Sequence, residues 1–133
     1  MIPDKQYQLE VILQANPMRN SVNVGIRTIE DILTFEEAIK SEPPSYPDYS
    51  EEDAERDLKR GTVTIFSSYP IVPGIFVTPS LIQAHAYAGG NFTKRDGEFV
   101  FLGDEHVYSK TVPLHYVAWI SGDEGMYVGE TPS

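Results

Sequence analysis

The chain contains no cysteine among its 133 residues. That excludes a disulfide framework and any thiolate metal site, and it fits a reducing compartment. Histidine is scarce as well. His85, His106 and His115 are the whole set, and no two stand at a short ligand spacing. A site around Asp104, Glu105 and His106 is conceivable, but surface or strand-end histidines account for these residues more simply, and no metal is expected. No apolar run is long enough to cross a bilayer, and Asp4 and Glu10 interrupt the only stretch placed to act as a secretory leader. Basic residues are few: 10 Lys and Arg stand against 20 Asp and Glu, for a net charge of −10. Basic surface supplies most nonspecific nucleic-acid affinity, so direct binding to DNA or RNA is disfavoured. A basic protein partner remains compatible with this charge.

What is present suits one domain with an ordinary core. The hydrophobic fraction is 41% and the charged fraction 23%. Ten glycines and ten prolines imply many turns and short elements. The N-terminal half reads as helical. Leu9, Ile12 and Leu13 share a face over residues 7–15, and Asn16-Pro17 ends that helix. Thr28 is placed to cap a short helix, and Thr34 with Glu37 forms a capping box for the next. Ile29, Ile32, Leu33, Phe35 and Ile39 are expected to face the core. A proline-rich loop over 41–49 leads to Ser50, which caps a helix over 51–60, with Asp53 at the box position and Gly61 as its left-handed stop. Acidic residues crowd 42–57, where a solvated helix face and loop is the plain reading and docking to a basic surface the sharper one.

From Thr62 onward the pattern turns to strands, expected over 62–66, 74–77, 98–102, 107–112, 117–120 and 126–128. Thr78-Pro79 starts a helix through Ala88, which Gly89-Gly90 stops, and Asp96-Gly97 makes a turn. Residues 1–61 thus form a mainly helical half and 62–133 a mainly β half of one α+β domain.

Neither a phosphate-binding glycine loop nor a serine-hydrolase elbow is present. The constellation that can carry chemistry is Ser121-Gly122-Asp123-Glu124-Gly125 between two apolar strands. Flanking glycines let the chain turn and expose a carboxylate, although two acids on such a loop also serve simply as turn residues. As a functional group, Glu124 would bind a ribose hydroxyl and stabilise positive charge at an anomeric carbon. Thr78 and Ser80 could hold substrate or brace Glu124. Tyr69 and Tyr87 could stack on a planar ring, although a tyrosine on an amphipathic helix is more often core.

The segments TVTIFSSYPIVPGIFVTPSLIQAHAYAGG and VYSKTVPLHYVAWISGDEGMYVG resemble ADP-ribosyltransferase-like domains of bacterial toxins and phage-encoded proteins, over roughly residues 20–129. The resemblance implies a split mixed or antiparallel β-sandwich behind N-terminal helices, with a cleft that binds NAD as substrate. It implies Glu124 as the catalytic carboxylate and Thr78 and Ser80 as the Ser-Thr-Ser-like element. Where the family has an arginine or histidine on its opening strand, this chain has Ser67, Ser68 and Tyr69, so Arg27 is the substitute candidate for phosphate or ribose. Tyr69 or Tyr87 would pack on nicotinamide. The function implied is that of a phage or mobile-element effector or counter-defence factor in the host cytoplasm that modifies a host macromolecule. The alternative is a catalytically inactive acidic protein on the same fold that blocks a basic host or defence protein. Neither reading involves a membrane.

Overall fold

The computed structural model describes residues 4–15, 26–87, 91–102 and 107–129. It is an α+β arrangement of helices α1 (Lys5–Ala15), α2 (Phe35–Ser41), α3 (Glu51–Arg60) and α4 (Leu81–Tyr87) with seven strands. These are β1 (Thr62–Ser67), β2 (Phe76–Val77), β3 (Asn91–Arg95), β4 (Glu98–Leu102), β5 (Tyr108–Pro113), β6 (Val117–Ser121) and β7 (Glu124–Tyr127). Every strand pairing among the described residues is antiparallel.

β1 pairs with β5, and β2, β7 and β6 form a three-stranded sheet in that order. A bridge joins the two sheets. Phe66 N–H donates to the Thr78 carbonyl at 2.7 Å, and Thr78 N–H returns the bond to Phe66 at 3.0 Å. On the far edge, Leu33 exchanges backbone bonds with Trp119 at 2.9 and 3.3 Å. The seam therefore runs β5, β1, β2, β7, β6 and then the Leu33 segment. β3 and β4 make a separate hairpin whose turn, Asp96-Gly97, has positive φ at both residues, as a two-residue hairpin turn requires.

Side chains alternate across a strand, and directly opposed residues share a face. One face carries Val63, Ile65, Val77, Val112, Val117, Trp119 and Tyr127, against which Phe35, Ala38, Ile39, Tyr49 and Ala54 pack. Trp119 is fully buried, its ring centroid 4.6 Å from that of Phe35, and its indole N–H donates to the Leu114 carbonyl at 3.1 Å. The opposite face carries Ala118 and Met126, covered by Ile12 of α1 with Ile26 and Ile32. Gln8 Nε2 of α1 donates to the His115 carbonyl at 2.9 Å, tying that helix down.

The caps form where the sequence places them. Thr34 Oγ1 accepts from Glu37 N–H at 3.2 Å, and Ser50 Oγ accepts from Asp53 N–H at 3.3 Å. Glu37 and Asp53 return bonds to the N–H groups of Thr34 and Ser50 at 2.9 Å each. Those backbone bonds, as the leading cause, hold both carboxyls below their usual range. Gly61 takes the left-handed stop at φ 77°. Thr28 precedes one 3-10 turn, Ile29–Asp31, and not a full helix.

Several expectations need correction. Leu13 is 49% exposed and Ile29 37%, so neither faces the core; the buried stripe of α1 runs through Gln8 and Ile12. β3 occupies residues in which no strand was expected. β7 begins at Glu124 and not at Met126, so the turn shrinks to Gly122-Asp123. α4 begins at Leu81 with Ser80 before it, so Pro79 precedes the cap and does not occupy the first helical position. Gly89-Gly90 and the 104–106 cluster lie outside the described residues.

Replacing Ser50 by Ala removes the acceptor for Asp53 N–H and should cost about 1 kcal/mol, a typical value for an N-cap. Urea denaturation of the two proteins at neutral pH would measure it. Because the Asp53 carboxyl titrates low in the fold, its contribution is present above the ordinary carboxylate range and is lost as pH falls through the lowered value. The difference between Asp53→Asn and the parent protein should therefore shrink in acid.

Candidate functional site

The β6–β7 hairpin closes with Ser121 opposite Glu124, and a bulge at Ile120 separates this pair from the Trp119–Gly125 pair. Bulges re-aim side chains and are frequent beside functional sites. Gly125 has no room for a Cβ: one built there would stand 2.6 Å from Val117 Cγ1 and 2.7 Å from the Ala118 carbonyl. At Gly122 it would stand 2.6 Å from the Glu42 carbonyl, to which Gly122 N–H donates at 2.8 Å. The turn is therefore clamped between its own partner strand and the segment that follows α2. Ser121 Oγ donates to Asp123 Oδ1 at 2.9 Å and fixes the side chain that precedes Glu124.

Strand parity puts Glu124 on the same face as Met126, Phe76 and Thr78. Thr78 is the hub of this corner. Its Oγ1 lies 2.5 Å from Gln83 Oε1 and 2.7 Å from the Asp123 carbonyl, with one proton to donate, and it accepts Ser80 N–H at 3.1 Å. Gln83 Nε2 then donates to Glu124 Oε2 at 3.3 Å. Thr78 and Glu124 are thus joined through a buried glutamine.

Glu124 is half-buried, and its pKa is raised. Burial is the leading cause, the charge of Asp123 adds to it, the Gln83 hydrogen bond opposes it, and the charge of Glu42 adds again. No lysine or arginine side chain donates to Thr78, Asp123 or Glu124 among the described residues.

The other residues expected in the site lie elsewhere or have internal duties. Ser80 caps α4: its Oγ accepts Gln83 N–H at 3.0 Å and donates to Asp48 Oδ1 at 2.7 Å, while Asp48 Oδ2 accepts Ile82 N–H at 3.1 Å. Asp48, at the tip of the Tyr46–Tyr49 turn, thereby pins the proline-rich loop to α4. Ser67 is buried on the opposite face of the sheet from Thr78, and its Oγ accepts Tyr69 N–H at 3.1 Å. Ser68 follows at the strand end, half-buried. Tyr69 is 66% exposed. Arg27 is exposed on the bend before the 3-10 turn, where its backbone N–H donates to Asp31; no bond joins it to Glu124 or Thr78. Tyr87 ends α4, with its side chain outside the described set.

Gln83 and Asp48 had not been picked out as site residues. Gln83 was legible, because Ser80-Leu81-Ile82-Gln83 has the spacing of a capping box. Asp48 was not, since only the tertiary fold brings it to α4.

A 630 Å³ depression lies along α3, lined by Glu51, Glu52, Glu55, Arg56, Lys59 and Arg60. It sits on the exposed side of one helix and shares no residue with the Glu124 corner. No group of His, Asp and Glu among the described residues could hold a metal ion, and no described helix is long and apolar enough to cross a membrane. No protein-family model, curated protein or solved structure matches this chain.

A carboxylate with a raised pKa favours the fold at low pH and loses that advantage as pH rises through its folded value. Glu124→Gln should therefore raise the melting temperature at neutral pH, and the gain should vanish below the ordinary carboxylate range. Thermal melts at pH 4 and pH 7.5 would check the sign. Ser80→Ala should lower stability by about 1–2 kcal/mol at either pH, because it removes a cap and leaves Asp48 short of a donor.

Proposed function

We propose that the Glu124 corner is an NAD-cleaving site of the ADP-ribosyltransferase type, and that the bridged sheets correspond to that family's split β-sandwich. The observation that carries this reading is the meeting of Thr78, at the end of β2, with Glu124, at the start of β7, through the Gln83 amide. A strand-end hydroxyl and a late-turn carboxylate are the parts such chemistry needs side by side.

In the reaction, the bond between the ribose anomeric carbon and the nicotinamide nitrogen breaks. Nicotinamide leaves with the bonding pair as a neutral molecule, and positive charge develops on the ribose. Glu124, ionised and partly withdrawn from water, stabilises that charge. A nucleophile on a host macromolecule attacks the anomeric carbon and loses its proton; water in that role gives ADP-ribose. At the ribose–nicotinamide end, this reading rests on Glu124, with Thr78 beside it through Gln83. The diphosphate end finds no described cation at the corner, and Arg27, exposed and in no described salt bridge, is the residue we assign to it. Tyr69 and Tyr87 are assigned to the planar ring. Such a protein would act as a phage or mobile-element effector inside the host cell.

One set of observations favours a second reading, an acidic blocker of a basic host or defence protein. Thr78 and Ser80 are committed to internal bonds, Arg27 does not reach Glu124, and Glu51, Glu52 and Glu55 are exposed together on α3.

Calorimetric titration with NAD, followed by assay of released nicotinamide, separates the two. The transferase reading expects binding and release, with Glu124→Ala lowering the rate by about 10²–10³-fold, the usual cost of removing one group that stabilises developing charge. Absence of binding at millimolar NAD would reject it. The blocker reading would then be tested by capture on basic host proteins, expected to be lost when Glu51, Glu52 and Glu55 are changed together to Gln.

A further inference from the structure

Gln83 occupies the third position of α4 after the Ser80 cap, where a glutamine ordinarily turns back to receive the N–H of the capping residue. In this protein Thr78 Oγ1 receives that N–H, at 3.1 Å. The Gln83 side chain points instead across the corner, with Oε1 on Thr78 Oγ1 and Nε2 on Glu124 Oε2. It is 96% buried, since only 4% of its surface is exposed, and its backbone N–H is held by Ser80 Oγ. Ser80 is in turn bonded to Asp48. A fixed backbone, a buried chain and bonds at both ends of the amide leave little rotational freedom.

We infer that Gln83 is the positioning residue of this site: its amide fixes the direction of the Glu124 carboxylate and stabilises its ionised form. The role of that carboxylate in glycosyl transfer rests on the proposed function; the pairing itself does not. The charged groups that act on Glu124 are Asp123, from the same turn, and Glu42, from the segment after α2. Both are acidic and oppose its ionisation. Gln83 N–H is the donor that favours the anion among the described residues, so proton affinity at Glu124 depends on whether that donor is present. Thr78 adds a second level of control, because its single proton is within reach of both Gln83 Oε1 and the Asp123 carbonyl. The amide and the turn that carries Glu124 are thereby linked through one hydroxyl.

The first test uses the unaltered protein. The side-chain NH₂ resonances of Gln83 and the carboxyl carbon of Glu124 are followed by NMR across a pH titration without NAD. Coincident midpoints are expected, and a Gln83 amide that stays flat while Glu124 titrates would overturn the inference. The second test is Gln83→Met, which keeps the length and apolar packing of the chain and removes the donor. The Glu124 midpoint should move upward in a variant whose backbone spectrum is otherwise retained; an unchanged midpoint would overturn the assignment. In the nicotinamide assay the same variant should lose about 10- to 100-fold in kcat with KM nearly constant, the pattern of a misaimed group, and its acidic limb should shift with the NMR midpoint. Loss through unfolding would move neither midpoint selectively. Coupled titration without any nicotinamide release would reject the glycosyl-transfer reading and leave the Gln83–Glu124 pair standing.

Discussion

Two backbone hydrogen bonds between Phe66 and Thr78 hold the architecture together. Without them the β1–β5 pair and the β2–β7–β6 sheet would have no ladder in common. With them, five strands and the Leu33 segment form one bent seam, and Thr78 is fixed in extended backbone on both sides. That constraint has a chemical consequence. The Thr78 carbonyl is taken by Phe66 N–H, so the first helical bond goes to the Ser80 carbonyl, which accepts Ala84 N–H at 3.1 Å, and the Thr78 hydroxyl is left facing the same side of the sheet as Glu124. The junction of the sheets and the candidate site are one place.

Local chemistry made much of this legible. Thr34 with Glu37, and Ser50 with Asp53, read as capping boxes because the partners lie three residues apart, and both boxes form. Gly61 reads as a stop because only a positive φ ends α3 there. The β-branched run after it reads as a strand because no competing period is present. The errors have equally physical origins. Thr78-Pro79 looks like a cap followed by a first-turn proline, and only the bond to Phe66, twelve residues earlier in the chain, moves the start of α4. Leu13 and Ile29 look like core residues by spacing, but the partners that bury α1 select the face through Ile12 instead.

Ser67 shows how strand parity separates neighbours in sequence. One residue after Phe66, it lies on the buried face with Val77 and Trp119, while Thr78 and Glu124 lie on the other. A hydroxyl near a turn therefore says little until register is known. Tyr69 stands apart because it lies in the bend beyond the end of β1, which stops at Ser67.

The contrast between two partly withdrawn acids sharpens the case for Glu124. Asp57 is almost fully buried, yet it receives the Tyr49 hydroxyl at 2.7 Å and the Arg56 Nε at 3.4 Å. Its partners include a cation and a hydroxyl whose own ionisation is pushed upward, first by burial and then by the bond to Asp57. That is the pattern of a structural carboxylate, whose bonds fasten α3 to the preceding loop. Glu124 has the reverse surroundings. Its described donor is a neutral amide, and the nearest charges share its sign. Folding alone gains nothing from such an arrangement, since a neutral side chain of the same shape would suit the corner better. Carboxylates with raised pKa and no cationic partner are found at functional sites, where the task and not the fold requires the charge. A carboxylate kept uneasy by acidic neighbours and aimed by a buried amide is suited to an incoming or developing positive charge. That is the complement an oxocarbenium-like ribose would supply.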